Sequence, residues 1–290
     1  MDKYLSSDLA CEKFDSKFRE SEEGEYDEEY VGDFKIVRLS RLEGETQQNY
    51  ITVECGRIWE LDEAQQEDLC RILEDCIREL SLKISQKEIN KDFSVLIAGL
   101  GNSDITVDAI GPECIKRITA TRHLRAYDET MFEAVGCCEV SAIATGVLGQ
   151  TGVESVDVIK GILGEAQVDL VIVIDALAAR SCERLASTFQ ISDTGIDPGA
   201  GIGNHRKKID ADVIGVPILA IGVPTVVNSS ALMCDALKMA GIDTIDGELE
   251  LALESARSFY VAPKESDIIT ERVAGILARS IGMVFSQAFV

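Results

Sequence analysis

Apolar and polar positions change their spacing along the chain, and the changes separate strands from helices. Residues 170–174 are unbroken apolar, which suits a strand covered on both faces. Residues 34–39 and 50–55 instead alternate and predict half-buried strands joined by a polar turn over 43–49. From Asp62 to about Ile84, the residues Leu69, Ile72, Leu73, Cys76, Ile77, Leu80 and Ile84 recur on one helical face, with Asp62 placed to cap it. A strand over 93–100, a helix carrying Ile115 and Ile118 and a short strand over 139–144 follow. Then come a glycine-punctuated turn over 146–152, a crossover helix over 153–165 and the apolar strand ending at Asp175. Two successive strand–helix–strand crossovers commit the chain to an α/β layer architecture.

Past Asp175 the pattern predicts a helix over 176–185 and an edge strand over 189–191. A loop punctuated by Gly195, Gly199, Gly201 and Gly203 precedes the last core strand over 216–227. Helices are expected over 231–240 and 245–256, and a final helix after Pro263 carries Ile268, Ile269, Val273, Ile276, Leu277, Ile281 and Val284 on one stripe, to pack on the domain or on a subunit. The expected fold is α/β in three layers, with a mostly parallel central sheet flanked by helices and a small N-terminal antiparallel element. Glu22, Glu23, Glu25, Asp27, Glu28 and Glu29 crowd into eight positions, so residues 1–30 read as a flexible acidic arm before a single domain over 31–290.

Composition narrows the classes. With 46% apolar residues over 290 positions the chain has material for a real core. A formal charge of -23 argues against a nucleic-acid groove, where affinity rests on neutralising phosphates. The nine cysteines show no CxxC spacing and read as buried or lone thiols, with one of the Cys137 and Cys138 pair buried and the other partly exposed. The opening MDKYLSSDLACEKF lacks the basic and long apolar regions of a secretory signal, and no apolar window reaches spanning length. A cytoplasmic, reduced protein without membrane contact is the expectation.

Two acids carry the candidate chemistry. Asp108 and Asp175 each follow a core strand, where ligands of parallel sheets collect. Two carboxylates held together cannot both ionise cheaply, so one keeps a proton as general acid while the other activates water, which suits amide hydrolysis. Asp175 as an N-cap of the helix after it is the plain structural alternative. Residues 99–102, GLGN, lack the third glycine of a dinucleotide fingerprint. His123, one of two histidines, stands in a polar stretch without a Cys/His cluster. The glycine loop followed by His205, Arg206 and Lys207 is either a nest for an anion or an Ω-loop. No nucleophile-elbow pattern is present, and Cys182 with His205 is a weaker pairing.

AGLGNSDITVDAIGP (98–112), TRHL (121–124), GVLGQTGVES (146–155), IDALAARS (174–181), ISDTGIDPGAGIGNHRK (191–207) and GVPILAIGVPTVV (215–227) resemble, in order, the germination protease family of spore-forming bacteria. That resemblance implies an endopeptidase that degrades small acid-soluble spore proteins in the spore core during germination. It implies a fold related to hydrogenase-maturation endopeptidases, an aspartic-type pair at Asp108 and Asp175, no cofactor or metal, and a homotetramer. It also implies a zymogen that removes a short propeptide, about residues 1–8, by self-cleavage between Asp8 and Leu9 in SDLA. Asn102, His123, Gly199, Gly201, Gly203, His205 and Arg206 fall in the matching blocks as cleft or support residues. Two departures stand out: Asn228 replaces the family's Asp, and the region between 240 and 261 is short. A metal-dependent maturation-type protease and a non-catalytic α/β peptide-binding protein are the alternatives.

Overall fold

The computed structural model describes residues 7–10, 12, 24–44, 46–135, 138–200, 206–242, 244 and 246–286. Strands β1 (Gly24–Val31), β2 (Phe34–Glu43) and β3 (Thr46–Glu54) form an antiparallel meander. Helix α1 (Glu63–Ser85) follows, fixed by a capping box in which Asp62 accepts from the Gln65 backbone and the Gln65 side chain accepts from that of Asp62. Then come β4 (Ser94–Leu100), α2 (Ile110–Ile115), α3 (Arg122–Tyr127), β5 (Glu139–Gly146), α4 (Ser155–Glu165), β6 (Leu170–Ala179) and β7 (Thr188–Ser192). The chain closes with β8 (Ile218–Asn228), α5 (Ser229–Met239), α6 (Gly247–Ala256), β9 (Tyr260–Val261) and α7 (Ser266–Phe285).

The strands make one sheet in the order β1-β2-β3-β7-β8-β6-β4-β5, with β9 on β8. The β5–β4, β4–β6 and β6–β8 pairs are parallel; the β1–β2, β2–β3, β3–β7, β7–β8 and β8–β9 pairs are antiparallel. The sheet is therefore mixed rather than mostly parallel, because the N-terminal meander joins the main sheet through β7 instead of standing apart. For the same reason β7 is not an edge strand. It lies between β3 and β8, and Phe189 and Ile191 are fully buried.

Period-two alternation divides the core. Val95, Ile97, Ile172 and Ile174 face α1, α2 and α7, while Leu96, Ala98, Leu100, Val171 and Val173 face α4. The apolar stripe of α7 packs on α1 and the sheet of its own chain. Two further expectations shift. The helix expected over 176–185 does not form, because β6 runs on to Ala179, paired with β8 as far as Val227. And the stretch expected as an arm supplies β1 over 24–31, with residues 7–10 and 12 docked on the sheet. Cys138 is buried; Cys137 lies outside the described residues.

Candidate active site

The site forms where β6 outruns its neighbour. Pairing of β4 with β6 ends at Gly99 and Ile174, while β6 and β8 continue together. Asp175 is the first residue past that end, and alternation points it to the face of Val171 and Val173. There the helical layer of α4 gives way to a cavity of 280 Å³ that both Asp108 and Asp175 line. Opposite Asp175 in β8 stands Gly222, where an added Cβ would come within 2.3 Å of the Leu177 side chain. Glycine there lets Leu177 lie across the sheet.

Asp108 is delivered by a tight turn. After β4 the backbone reverses through Gly101, at φ +105, so close to Asp108 that a Cβ would sit 2.0 Å from its carbonyl oxygen. Asp108 ends a single 3-10 turn, and Thr270 Oγ1 of α7 donates to the Thr106 carbonyl at 2.8 Å to anchor that turn. Gly111 at the head of α2 lies against β4: a Cβ there would be 2.2 Å from the Leu100 carbonyl. The result is a half-buried Asp108 whose Oδ2 accepts the Asn102 N–H at 2.8 Å.

The two acids have different surroundings. Asp175 is 5% exposed, and burial, then the charge of Asp108, then that of Asp8, hold its carboxyl well above the usual carboxylate range. One backbone bond, Ala176 N–H to Oδ1 at 2.9 Å, opposes the rise. Asp108 is raised by burial, and the Asn102 N–H works against it. Burial thus raises both carboxyls, and Asp175 the further of the two.

A profile of the germination protease family matches residues 12–243. The chain belongs to the germination protease family. It is 36% identical to the germination protease of Caldanaerobacter subterraneus subsp. tengcongensis over 86% of this chain and 84% of that one. To that of Clostridium acetobutylicum it is 33% identical, over 98% and 96% of the two chains. Identity to the Bacillus subtilis germination protease is 44%, but the match spans 68% of this chain and only 53% of that longer protein. A solved [NiFe] hydrogenase maturation protease from Thermococcus kodakarensis KOD1 overlaps 72% of this chain and 98% of its own at 16% identity and a TM-score of 0.36. Membership of the germination protease family makes the chain a proteolytic enzyme.

In this chain the other candidate residues separate. Gly199 and Arg206 line the cavity, and Asn102 orients Asp108. His123 is exposed on α3 and does not line it. Gly201, Gly203 and His205 lie outside the described residues. Asn228, at the end of β8, caps α5 by accepting from Ser230 N–H and donates to the Arg257 carbonyl, a structural task that needs no charge. Among the described residues no group of three or more His, Cys, Asp or Glu is placed to hold a metal, and no helix is long and apolar enough to cross a membrane.

Composition did not reveal that Asp8 enters the same site, with Leu9 packed beside it. Asp8 N–H donates to the Ala178 carbonyl at 3.0 Å and its Oδ2 accepts the Ala178 N–H at 2.9 Å, on the part of β6 that β4 has left. Leu9 is fully buried among Leu177, Ala179, Leu185, Val227 and Ala231. Gln190 Oε1 accepts the Ala10 N–H at 2.5 Å. The signal available in sequence was the apolar run of β6 reaching past its acid to Ala179, which leaves strand edge to be used.

Proposed function

We propose that this chain is an endopeptidase that degrades small acid-soluble spore proteins during germination, made as a zymogen that cleaves itself between Asp8 and Leu9. The observation that carries this reading is the placement of Asp8 in the cavity of Asp108 and Asp175, bonded to both the N–H and the carbonyl of Ala178 in β6, with Leu9 seated beside it. The ionised Asp108 removes a proton from water as it attacks the peptide carbonyl, and the neutral Asp175 gives its proton to the substrate as the C–N bond breaks. One proton enters the pair and one leaves it, and passage of the proton gained by Asp108 to Asp175, by way of water, restores the starting state.

The full chain incubated alone, followed by mass analysis of its N-terminus, tests the reading. Release of residues 1–8 is expected, and neither Asp108→Asn nor Asp175→Asn should release them. Addition of a small acid-soluble spore protein should give discrete fragments under the same dependence. Because the chemistry uses two carboxylates and water, cleavage is expected to survive a chelator. A single domain over 31–290, a location in the spore core and a homotetramer complete the proposal on the strength of the family; sedimentation of the purified chain measures the last.

A further inference from the structure

One polar side chain in the cavity of the two acids has no partner among the described residues. Thr225 of β8 is 4% exposed and lines that cavity together with Asp108 and Asp175, and its hydroxyl makes no hydrogen bond to any described residue. The strand is irregular at this point. Leu177 of β6 pairs with Pro224 and Ala178 with Val226, so Thr225 is the extra residue of a bulge, a feature that re-aims the side chain it carries. Pro224 has no N–H to give to the ladder, and its carbonyl accepts the Ala186 N–H at 2.8 Å. Thr225 thus stands between the β8 partners of Leu177 and Ala178, and Ala178 is the residue bonded to Asp8. The 3-10 turn that ends at Asp108 packs on both β6 and β8. Buried hydroxyls are normally paired, and one left open in a cavity of acids points to a group that the substrate brings.

We propose that Thr225 is a catalytic residue of the protease, whose hydroxyl donates to the carbonyl oxygen of the cleaved peptide bond while that oxygen carries negative charge. The proposal rests on the reading of Asp108 and Asp175 as the catalytic pair. When water attacks, a C–O bond forms, the carbonyl π pair moves onto oxygen and Asp108 takes the water's proton. When the intermediate collapses, that electron pair returns, the C–N bond breaks and the nitrogen takes the proton of Asp175. Thr225 gives up no proton in either step; it holds the oxygen while the charge is there. The charge needs a donor, because it develops beside carboxyl groups that oppose it. Other side-chain donors lining the cavity are committed or exposed: Ser155 Oγ donates to the Gly146 carbonyl at 3.3 Å, Lys207 Nζ to Asp157 at 2.9 Å, and Arg206 is exposed. A neutral hydroxyl also forms no ion pair with either acid, so it leaves their charges as burial sets them.

The test uses full chain, each variant incubated until its N-terminal mass shows that residues 1–8 are gone, and a synthetic peptide of its own residues 4–15 as substrate. Thr225→Val keeps the shape and removes the hydroxyl. It should lower kcat by about 10- to 100-fold and leave KM within about twofold, since the bond is made only as charge develops. Thr225→Ser, which restores a hydroxyl, should keep kcat within about threefold of wild type. Neither limb of the pH profile should move in Thr225→Val; a shifted limb would show that the hydroxyl serves one of the carboxyls and overturns the proposal. An unchanged kcat in Thr225→Val, or an equal loss in Thr225→Ser, also overturns it. Melting gives a readout that does not depend on cleavage: with no protein partner to lose, Thr225→Val should keep or raise Tm, and a lowered Tm overturns the proposal by assigning the hydroxyl a structural bond. A wild-type chain that cleaves neither itself nor the peptide defeats the protease reading and this one with it, whereas a cleaving wild type matched by Thr225→Val defeats this one alone.

Discussion

At the scale of single residues, the chemistry turns on Asp175. It sits in the interior of a strand, 5% exposed, with an acid on each side of its cavity in Asp108 and Asp8. Burial and these two charges favour its neutral form. Replacing either Asp108 or Asp175 by Asn should lower cleavage by about 10² to 10⁴-fold while the fold survives, as measured by fragment release and circular dichroism. Because both pKa values are raised from 3.8, the activity bell should lie above the ordinary carboxylate range. Its acid limb follows protonation of Asp108, and its alkaline limb follows loss of the proton from Asp175. Stability carries the same signature. A carboxyl raised on folding stabilises the native state fully below its unfolded pKa, and that contribution is lost as pH rises through the folded pKa. Wild type should therefore lose melting temperature across that window, and Asp175→Asn should flatten the loss.

At the scale of elements, the site depends on close approach between β4 and the turn that carries Asp108. Gly111 touches the Leu100 carbonyl so closely that alanine needs a backbone shift, its Cβ falling 2.2 Å from that oxygen and 2.8 Å from the Ile174 carbonyl. Gly111→Ala should cost about 1–3 kcal/mol by urea unfolding and reduce activity further than stability explains, because the shift moves Asp108. The amphipathic helices were legible from spacing alone: α1 begins at its Asp62 cap and buries Leu69, Leu73, Ile77 and Leu80 as the pattern requires. The helix expected after Asp175 was not legible, for a physical reason. Ala176, Leu177, Ala178 and Ala179 favour a helix locally, but pairing with β8 satisfies their backbone and burial, and tertiary context overrides propensity.

At the scale of the whole molecule, the acidic balance of -23 and the docked segment matter most. No retardation of duplex DNA is expected at physiological salt, since a strongly negative surface releases few counterions on contact. Leu9 closes the segment onto the sheet, and Leu9→Asp removes roughly 1.5–3 kcal/mol of burial. That variant should lose protection of residues 7–12 in limited proteolysis and process itself more slowly, since an undocked peptide bond no longer meets the acids.

What the sequence by itself determined was whatever depends on local pattern: the α/β class, the helix faces, the buried strands, and two acids that each follow a strand. These follow from periodicity and from short-range backbone chemistry, which neighbouring residues carry in full. Only the tertiary structure decided that the N-terminal meander enters the main sheet through β7, that β6 extends five residues past β4, and that Asp8 is bonded to that extension. Each is a pairing between segments far apart in the chain, and strand edges carry no mark in sequence of the partner they take. Asp175 was visible as an acid after an apolar run; that it shares a cavity with Asp108 and Asp8 depends on where three separate segments meet.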